Sequence, residues 1–313
     1  MSRCLFCYQP LSEDEQDFHA ACSKKIFGQS VPPTLPYTGE DLTPQAKLVI
    51  QSHKAVTGVQ AKLSLHITGS PGAGTAKRFT IAGLWGGFIL KPPSTAYPQL
   101  PEVEDLTMHL AASAKISTAP HSLIRLASGS LAYITKRIDR TKKGKLAMED
   151  MCQLTERLTE DKYQGSYEQI AKAIGKYSAT PGLDLVNFYE LVLFSFLTGN
   201  ADMHLKNFSL LERPGLGMIL SPAYDLLNTS LVNPTDDEEM ALTLNGKKRS
   251  IVKQDFIAAM TIANLAPKQQ ENILNKLLNA SPQWEEKIDI SFLSDAFKPK
   301  YKEILRERRK RFW

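Results

Sequence analysis

A nearly unbroken apolar run, Leu191–Asn200, ends in a burst of polar residues, and this boundary constrains the chain most. Leucine, valine and phenylalanine fill most of the run, LVLFSFLTGN, so we expect it to be buried. The sequence DMHLKN follows, beginning at Asp202 and ending at Asn207. Asp225 ends a second, shorter apolar stretch. Two carboxylates and an amide are therefore predicted to lie at the edge of a hydrophobic core.

The spacing of these three residues is one that protein kinases use. An Asp, an Asn five positions later and another Asp after a hairpin-length interval correspond to Asp202, Asn207 and Asp225. In kinases the first Asp accepts the proton of the substrate hydroxyl, while the Asn and the second Asp hold Mg²⁺.

Length and charge bound the class of protein. The chain has 313 residues and a net charge of +5, which is enough for two lobes around a cleft. Much of the charge lies in the tail, Lys298–Arg311, where a solvated helix is favoured over a nucleic-acid or partner patch. No apolar run reaches the roughly 18 residues that a membrane span needs, and no signal peptide is recognisable. Four cysteines suit a reducing compartment, so we expect a cytoplasmic protein without membrane contact.

The first 36 residues are predicted to form a small knuckle and linker. Cys4 and Cys7 form one close pair and His19 and Cys22 another, a spacing that suits a structural Zn²⁺. The alternative is an apolar knob that packs without metal. The prolines of residues 32–36 predict an extended linker.

Residues 37–140 are predicted to form a first lobe rich in strands. A turn at Gly58 leads into a strand, and such turns can present backbone N–H groups to phosphates. The glycines of residues 69–74 lack a Walker ending, which favours a hairpin tip. A short apolar strand ends at Lys91, which either meets an anion such as an ATP phosphate or leaves the strand into solvent. Glu104, in the first turn of the next predicted helix, either pairs with Lys91 or caps the helix.

Residues 141–313 are predicted to form a mainly helical second lobe. Met148–Leu154 is predicted to open a helical region, and apolar residues recur at helical spacing in 167–177 and 184–198. Residues 208–220 predict a hairpin that carries the chain from Asn207 to Asp225. Residues 251–291 are also predicted to be helical, and Cys152 is interpreted as a core residue.

With these segments together, the sequence resembles the HipA family of bacterial toxin Ser/Thr kinases. Its motifs occur here in the family's order: Thr57-Gly-Val-Gln-x-Lys62, Ile89-Leu-Lys91, Leu100-Pro-Glu-x-Glu104, Lys136-Arg-Ile-Asp-Arg140, Glu149-Asp-x-Cys-Gln153, Asp202-x-His-x-Lys-Asn207-Phe-Ser and Pro222-x-Tyr-Asp225. The resemblance implies an α+β, two-lobed, protein-kinase-like fold of the HipA type. A mixed N-terminal lobe with a β-sheet would precede a mainly α-helical C-terminal lobe.

The resemblance also implies ATP and Mg²⁺ as cofactors and assigns the site. Asp202 would be the general base, Asn207 and Asp225 the Mg²⁺ ligands, and Lys91 the ligand of the α- and β-phosphates. The residues that would contact the nucleotide are, besides Lys91, Asn207 and Asp225, Thr57, Gly58, Val59, Gln60, Lys62, Lys136, Arg137, Ile138, His204, Lys206 and Tyr224. In this set, the backbone of residues 136–138 would meet adenine.

Partners follow from the resemblance as well. The substrate would be a protein, an aminoacyl-tRNA synthetase, whose phosphorylation stops translation and growth. A HipB-like DNA-binding antitoxin would restrain the kinase, with DNA reached only through it. Only about 55 residues precede the Gly loop, as in the shorter HipT branch, which implies a small HipS-like protein as a further partner. The resemblance also implies autophosphorylation in the Gly loop. Either Thr57 is the sole acceptor, or Ala55 is an engineered replacement of a serine that removes self-inactivation.

Two other functions compete with the kinase. A catalytically silent nucleotide-binding pseudokinase would lack the base or a metal ligand, whereas Asp202, Asn207, Asp225 and Lys91 are all present. A zinc-dependent nucleic-acid-binding protein would rest on the knuckle and the basic tail, and that tail has few interleaved aromatic residues.

Overall fold

The computed structural model describes residues 2–42, 62–69, 77–82 and 86–313. Contacts divide the chain into two compact units. Unit 1 comprises Met1–Asp105, Ala119–Ile138 and Ile290–Phe292, and unit 2 comprises Leu106–Thr118, Asp139–Asp289 and Leu293–Trp313. The three-part division at residues 36 and 140 stays a prediction.

Unit 1 is organised around a five-stranded antiparallel sheet. Its strands, in the order β2-β1-β3-β5-β4, are β1 (Leu63–Thr68), β2 (Arg78–Ile81), β3 (Phe88–Lys91), β4 (His121–Arg125) and β5 (Leu131–Lys136). Leu90 lies opposite Leu63 on one side and Ile134 on the other, and all three side chains are buried. The predicted strands of this region are therefore confirmed, including the one that ends at Lys91.

The N-terminal segment packs onto this sheet. Helix α1 (Ala20–Phe27) ends at Gly28, which adopts a left-handed conformation. The ring of Phe27 meets Phe79 edge to face, with centroids 5.7 Å apart. The predicted linker pairs with the edge strand, because the Thr34 N–H donates to the Lys77 carbonyl at 3.0 Å. Burial of these apolar side chains, each worth about 1.5–3 kcal/mol, fixes the segment to unit 1.

Helix α2 (Leu100–Ser113) begins in unit 1 and continues in unit 2. Unit 2 further contains the helices α3 (Met151–Leu154), α4 (Tyr167–Tyr177), α5 (Pro181–Leu197), α6 (Thr229–Val232), α7 (Lys253–Ile262), α8 (Pro267–Ala280), α9 (Pro282–Asp289) and α10 (Phe297–Arg309). Residues 159–161 and 205–207 form 3₁₀ turns.

Helix α5 is the core of unit 2. Every side chain from Phe188 to Leu197 is buried. Phe188 contacts Phe208 edge to face at 5.2 Å between centroids, and Phe194 contacts Trp284 at 5.5 Å. The apolar run thus forms a buried helix, as predicted. Within the described ranges, the helices are all too short or too polar to cross a bilayer.

A small sheet carries the chain from α5 towards Asp225. Strands β9 (Ser209–Arg213) and β10 (Gly217–Leu220) form the predicted hairpin, and β8 (Met148–Asp150) pairs with β9. The expectation that Met148 opens a helical region was wrong for three residues, because Met148 pairs with Leu211. The helix starts at Met151, after the N-cap Asp150. Strands β6 (Arg140–Thr141) and β7 (Gly144–Lys145) form a separate two-stranded ribbon.

The basic tail is a helix whose charges are paired. Tyr301 and Leu305 of α10 are buried. Arg306 binds Glu285 at 2.6 Å, and Arg311 binds Glu239 at 2.6 Å. Acidic side chains of the same unit therefore take up part of the positive charge that a nucleic-acid surface would need.

Candidate active site

The loop after α5 is shaped by two tight contacts. Gly199 has a φ of 68°, which favours glycine, and a Cβ there would lie 2.8 Å from Asn228 Oδ1. The Asp202 N–H then donates to Asn200 Oδ1 at 3.1 Å. The chain therefore leaves the buried helix in a sharp turn that brings Asp202 to a half-buried position.

Asn207 is fixed to the backbone of Asp202. Its Nδ2 donates to the Asp202 carbonyl at 2.8 Å. This bond orients the amide, so that Oδ1 is the atom with which Asn207 can bind a cation. The structure thus brings together the predicted base and one predicted Mg²⁺ ligand.

The Asp202 carboxylate also has a neighbour that sequence reasoning missed. The Tyr163 hydroxyl donates to Asp202 Oδ1 at 2.7 Å. Burial and the Asp202 carboxylate raise the pKa of Tyr163, so the hydroxyl keeps its proton and acts as the donor. Tyr163 lies in a polar loop and carries no periodicity signal. Only the tertiary structure reveals its contact with a residue 39 positions away.

His204 lies beneath this tyrosine and is neutral. The two rings meet edge to face with centroids 4.9 Å apart. Burial lowers the pKa of His204 to about 4. Within the described part of the chain, its buried Nδ1 has no hydrogen-bond partner. An uncompensated polar atom of this kind is unusual in a folded protein and is one that a bound nucleotide could satisfy.

Lys206 contacts Asp150, the residue that caps the N-terminus of α3. Its Nζ lies 2.7 Å from Asp150 Oδ2. Asp150 Oδ1 accepts from the Gln153 N–H at 3.0 Å, while Gln153 Oε1 accepts from the Asp150 N–H at 2.9 Å. This capping box explains the spacing of Asp150 and Gln153 in the sequence. The predicted phosphate neighbour Lys206 is therefore held beside a carboxylate, with its side chain partly exposed.

Asp225 has a strained backbone. Its φ is 56°, and such left-handed non-glycine residues cluster at functional sites. The preceding residue is anchored, because the Tyr224 hydroxyl donates to the Lys206 carbonyl at 3.0 Å and lies 2.5 Å from Ser209 Oγ. The predicted nucleotide contact Tyr224 thus uses its hydroxyl to hold the Asp202–Asn207 loop.

In unit 1, Lys91 and Glu104 form a buried ion pair. Lys91 is 2% exposed and Glu104 1%, and Lys91 Nζ donates to Glu104 Oε1. The ammonium also lies 5.3 Å from the centre of the Tyr133 ring. The predicted pairing of Lys91 with Glu104 is confirmed, and the alternative that Lys91 leaves the strand into solvent was wrong.

A second polar network adjoins this pair and was also missed. Asp105 follows Glu104 in α2 and accepts from the Tyr8 hydroxyl at 2.6 Å. Its other oxygen lies 2.7 Å from His121 Nδ1. The second turn of α2 is thus bound to both the N-terminal segment and β4.

The remaining predicted nucleotide residues lie at the ends of the interior strands β1 and β5 or outside the described residues. Lys62 is exposed just before β1. The N–H groups of Lys136 and Arg137 donate to Pro120 and Gly87 carbonyls at 2.8 and 2.9 Å. Contact with adenine would therefore use the carbonyl groups of this segment or Ile138. The predicted residues Thr57, Gly58, Val59 and Gln60 lie outside the described ranges, as does Ala55.

The predicted knuckle residues come together in unit 1. Cys4, Cys7, His19 and Cys22 each offer one ligand atom, and these atoms all lie within 4.8 Å of one another. Burial raises the pKa of Cys22 to about 12 and raises that of Cys7. Burial alone would also raise the pKa of Cys4, but backbone N–H groups at the sulfur lower it.

The residues fit Mg²⁺ and ATP. Oxygen donors are available from Asn207 and Asp225, which suits Mg²⁺. Within unit 2, the unpartnered Nδ1 of the neutral His204 is a polar atom that a nucleotide could satisfy. Within unit 1, Lys91 is a buried cation of the kind that binds phosphates.

Comparison with known proteins identifies the family. The model of the HipA-like C-terminal domain matches residues 55–284. The chain belongs to this family. The predicted resemblance is therefore confirmed, and it covers the strand of Lys91, the loop of Asp202 and the hairpin that leads to Asp225.

Curated relatives carry kinase names. A Sinorhizobium fredii protein named "Putative kinase Y4dM" is 30% identical over 74% of this chain and 61% of its own length. A second, "Putative kinase Y4mE", is 31% identical over 57% of this chain and 44% of its own. A Haemophilus influenzae "Putative kinase" is 26% identical over 74% of this chain and 69% of its own length. The chain thus spans less than two thirds of the length of each S. fredii relative.

Solved structures share the fold. HipA from Shewanella oneidensis MR-1, solved with HipB and its operator DNA, has a TM-score of 0.68 at 22% identity, over 85% of this chain and 70% of that one. The Helicobacter pylori proinflammatory kinase CtkA has a TM-score of 0.57 at 17% identity, over 79% and 92%. The predicted α+β, HipA-type kinase-like fold is confirmed.

Proposed function

We propose that the protein is an ATP-dependent Ser/Thr protein kinase and the toxin of a toxin–antitoxin system. The observation that carries the proposal is the loop of unit 2, in which Asn207 is bonded to the backbone of Asp202 and Tyr163 to its carboxylate. The kinase names of the relatives and the HipA-type fold support the same function.

The reaction would divide the work among these side chains. Asp202 accepts the proton of a substrate Ser or Thr hydroxyl as its oxygen bonds to the γ-phosphorus and the bond to the β-phosphate oxygen breaks. Asn207 and Asp225 would hold Mg²⁺ through their oxygens. Lys91, kept in place by Glu104, contacts the phosphates. ATP with Mg²⁺ would supply the phosphoryl group and neutralise its charge during transfer.

Asp202→Asn tests the assignment of the base. This change keeps the size of the side chain but removes the proton acceptor. We expect phosphate transfer from γ-labelled ATP to proteins of a lysate to fall by at least about a hundredfold, with ATP binding retained. Asp295→Asn is the matched control, since that carboxylate is fully exposed. Equal transfer by Asp202→Asn and Asp295→Asn would refute the role of Asp202.

The same assay distinguishes the kinase from the alternative, a catalytically silent pseudokinase. ATP binding by the wild type without transfer to any protein would favour the catalytically silent pseudokinase. We propose an aminoacyl-tRNA synthetase as the substrate, which identification of the labelled proteins by mass spectrometry tests. The same spectra test autophosphorylation, since phosphate on Thr57 is expected after incubation with ATP.

We also propose two protein partners. The Shewanella neighbour was solved with HipB and operator DNA, which supports a HipB-like antitoxin for this chain. The second proposed partner is the small HipS-like protein that the family resemblance implies. Co-expression with the small proteins encoded next to this chain should yield a complex in size-exclusion chromatography, and elution of the kinase alone in every combination would contradict it.

A further inference from the structure

The cluster of Cys4, Cys7, His19 and Cys22 lies outside the residues assigned to phosphoryl transfer. Cys4 and Cys7 lie in a tight N-terminal turn, His19 is the N-cap of α1, and Cys22 is in the first turn of that helix. All four cysteines of the chain, including Cys152 elsewhere, are free thiols. Three thiols and one imidazole therefore converge on one point without a disulfide.

The spacing of the ligand atoms matches a tetrahedral zinc site. With Zn–S near 2.3 Å and Zn–N near 2.0–2.1 Å, tetrahedral geometry places sulfur and nitrogen about 3.6 Å apart. His19 Nδ1 lies 3.4 Å from Cys7 Sγ and 3.7 Å from Cys22 Sγ. These two distances bracket the expected value, so the side chains already surround a space of the right size for the ion.

The tautomer of His19 is fixed by its second nitrogen. Nε2 lies 3.0 Å from the Pro10 carbonyl oxygen, which can only accept a hydrogen bond. Nε2 must therefore carry the proton, and the lone pair of Nδ1 faces the sulfur atoms. A carbonyl that holds the outer nitrogen of a metal-ligating histidine in this way is a regular feature of zinc sites.

The backbone holds the two halves of the cluster together. The Leu5 N–H donates to the Asp17 carbonyl at 2.8 Å, and the Tyr8 N–H donates to the Cys4 carbonyl at 2.9 Å. Tyr8 and Asp17 both adopt left-handed backbone conformations, with φ of 67° and 60°. Each of these two conformations is costly, and a bound ion would offset that cost.

We propose that Cys4, Cys7, His19 and Cys22 bind one Zn²⁺ in a closed structural site. Soft thiolates with one imidazole select zinc over magnesium or calcium. The ion fixes the turn that presents Tyr8 to Asp105, which lies beside Glu104 in α2. The site is independent of the proposed kinase activity, and its tests read metal rather than catalysis.

The first test is the metal content of the purified full chain, after removal of any histidine tag. Elemental mass spectrometry of the protein should find about one zinc ion per chain, because a closed structural site binds a single ion. Cys22→Ser should lower that value at least about tenfold, whereas the matched control Cys152→Ser should leave it unchanged. Equal zinc in the two variants, or a wild-type chain that takes up no zinc from added zinc chloride, would overturn the proposal.

A second measurement serves if Cys22→Ser does not fold. Co²⁺ replaces Zn²⁺ in the wild-type chain, and its visible spectrum reports the ligands. We expect the intense absorption of tetrahedral cobalt with thiolate-to-metal charge transfer, lost on addition of zinc. The weak spectrum of six-coordinate cobalt, or iron as the metal of the purified chain, would refute a zinc site.

Discussion

The buried pair of Lys91 and Glu104 allows a sharp prediction about stability. Glu104→Leu removes one partner and leaves an ammonium that is 2% exposed without its carboxylate. Breaking a buried ion pair in this way costs about 3–5 kcal/mol. The double variant Lys91→Met with Glu104→Leu leaves two apolar side chains of similar volume, and such replacements are often close to neutral. We therefore expect the double variant to be more stable than Glu104→Leu alone.

Chemical denaturation followed by circular dichroism measures this difference. The coupling free energy between the two sites should be at least about 2 kcal/mol, well above the error of additivity for independent sites. The Lys268–Glu271 pair is a matched control, because its side chains are 75% and 57% exposed, and Glu271→Leu should change stability little. Phosphate transfer should be lost in all variants that lack Lys91. A double variant as unstable as the sum of its two single variants would refute the reasoning.

Three further predictions concern unit 2. Tyr163→Phe removes the donor to Asp202, so the transfer rate should fall about fivefold, as loss of one hydrogen bond of about 1 kcal/mol implies, with ATP affinity unchanged in equilibrium binding. The pKa of His204 is about 4 in the folded chain, whereas the ordinary value is 6.5. Between these two pH values only the unfolded chain protonates His204, so the free energy of unfolding falls as the pH drops. The total loss across this range is about 3 kcal/mol. Urea denaturation at pH 7 and pH 5 should show about 2 kcal/mol of this loss, which His204→Gln should largely remove. Gly199→Ala places a Cβ 2.8 Å from Asn228 Oδ1 at a φ of 68°, so thermal unfolding should show destabilisation of about 2 kcal/mol or more; unchanged stability would contradict the need for glycine.

Local sequence signals predicted the elements but not their polar contacts. The apolar run of α5, the hairpin of 208–220 and the strand that ends at Lys91 follow from periodicity and turn residues. Pairing of Lys91 with Glu104 was expected from the kinase pattern, in which a strand Lys binds a Glu of the following helix. The start of α3 was misjudged, since the strand pairing of Met148 with Leu211 depends on a distant segment. The contact between Tyr163 and Asp202 was not predicted for the same reason, because hydrogen bonds between distant loops leave no periodic pattern in the sequence.

Glu104 and Asp105 are neighbours in the second turn of α2 and have separate roles. Consecutive helix residues are about 100° apart around the axis, so Glu104 and Asp105 cannot meet the same partner. Glu104 binds Lys91, whereas Asp105 binds Tyr8 and His121. The two bonds of Asp105 restrain the rotation of α2 about its axis, and that rotation determines where the carboxylate of Glu104 lies. The position of the buried ammonium of Lys91 thus depends on the N-terminal turn that carries Tyr8, although that turn contributes no group to the proposed phosphoryl transfer.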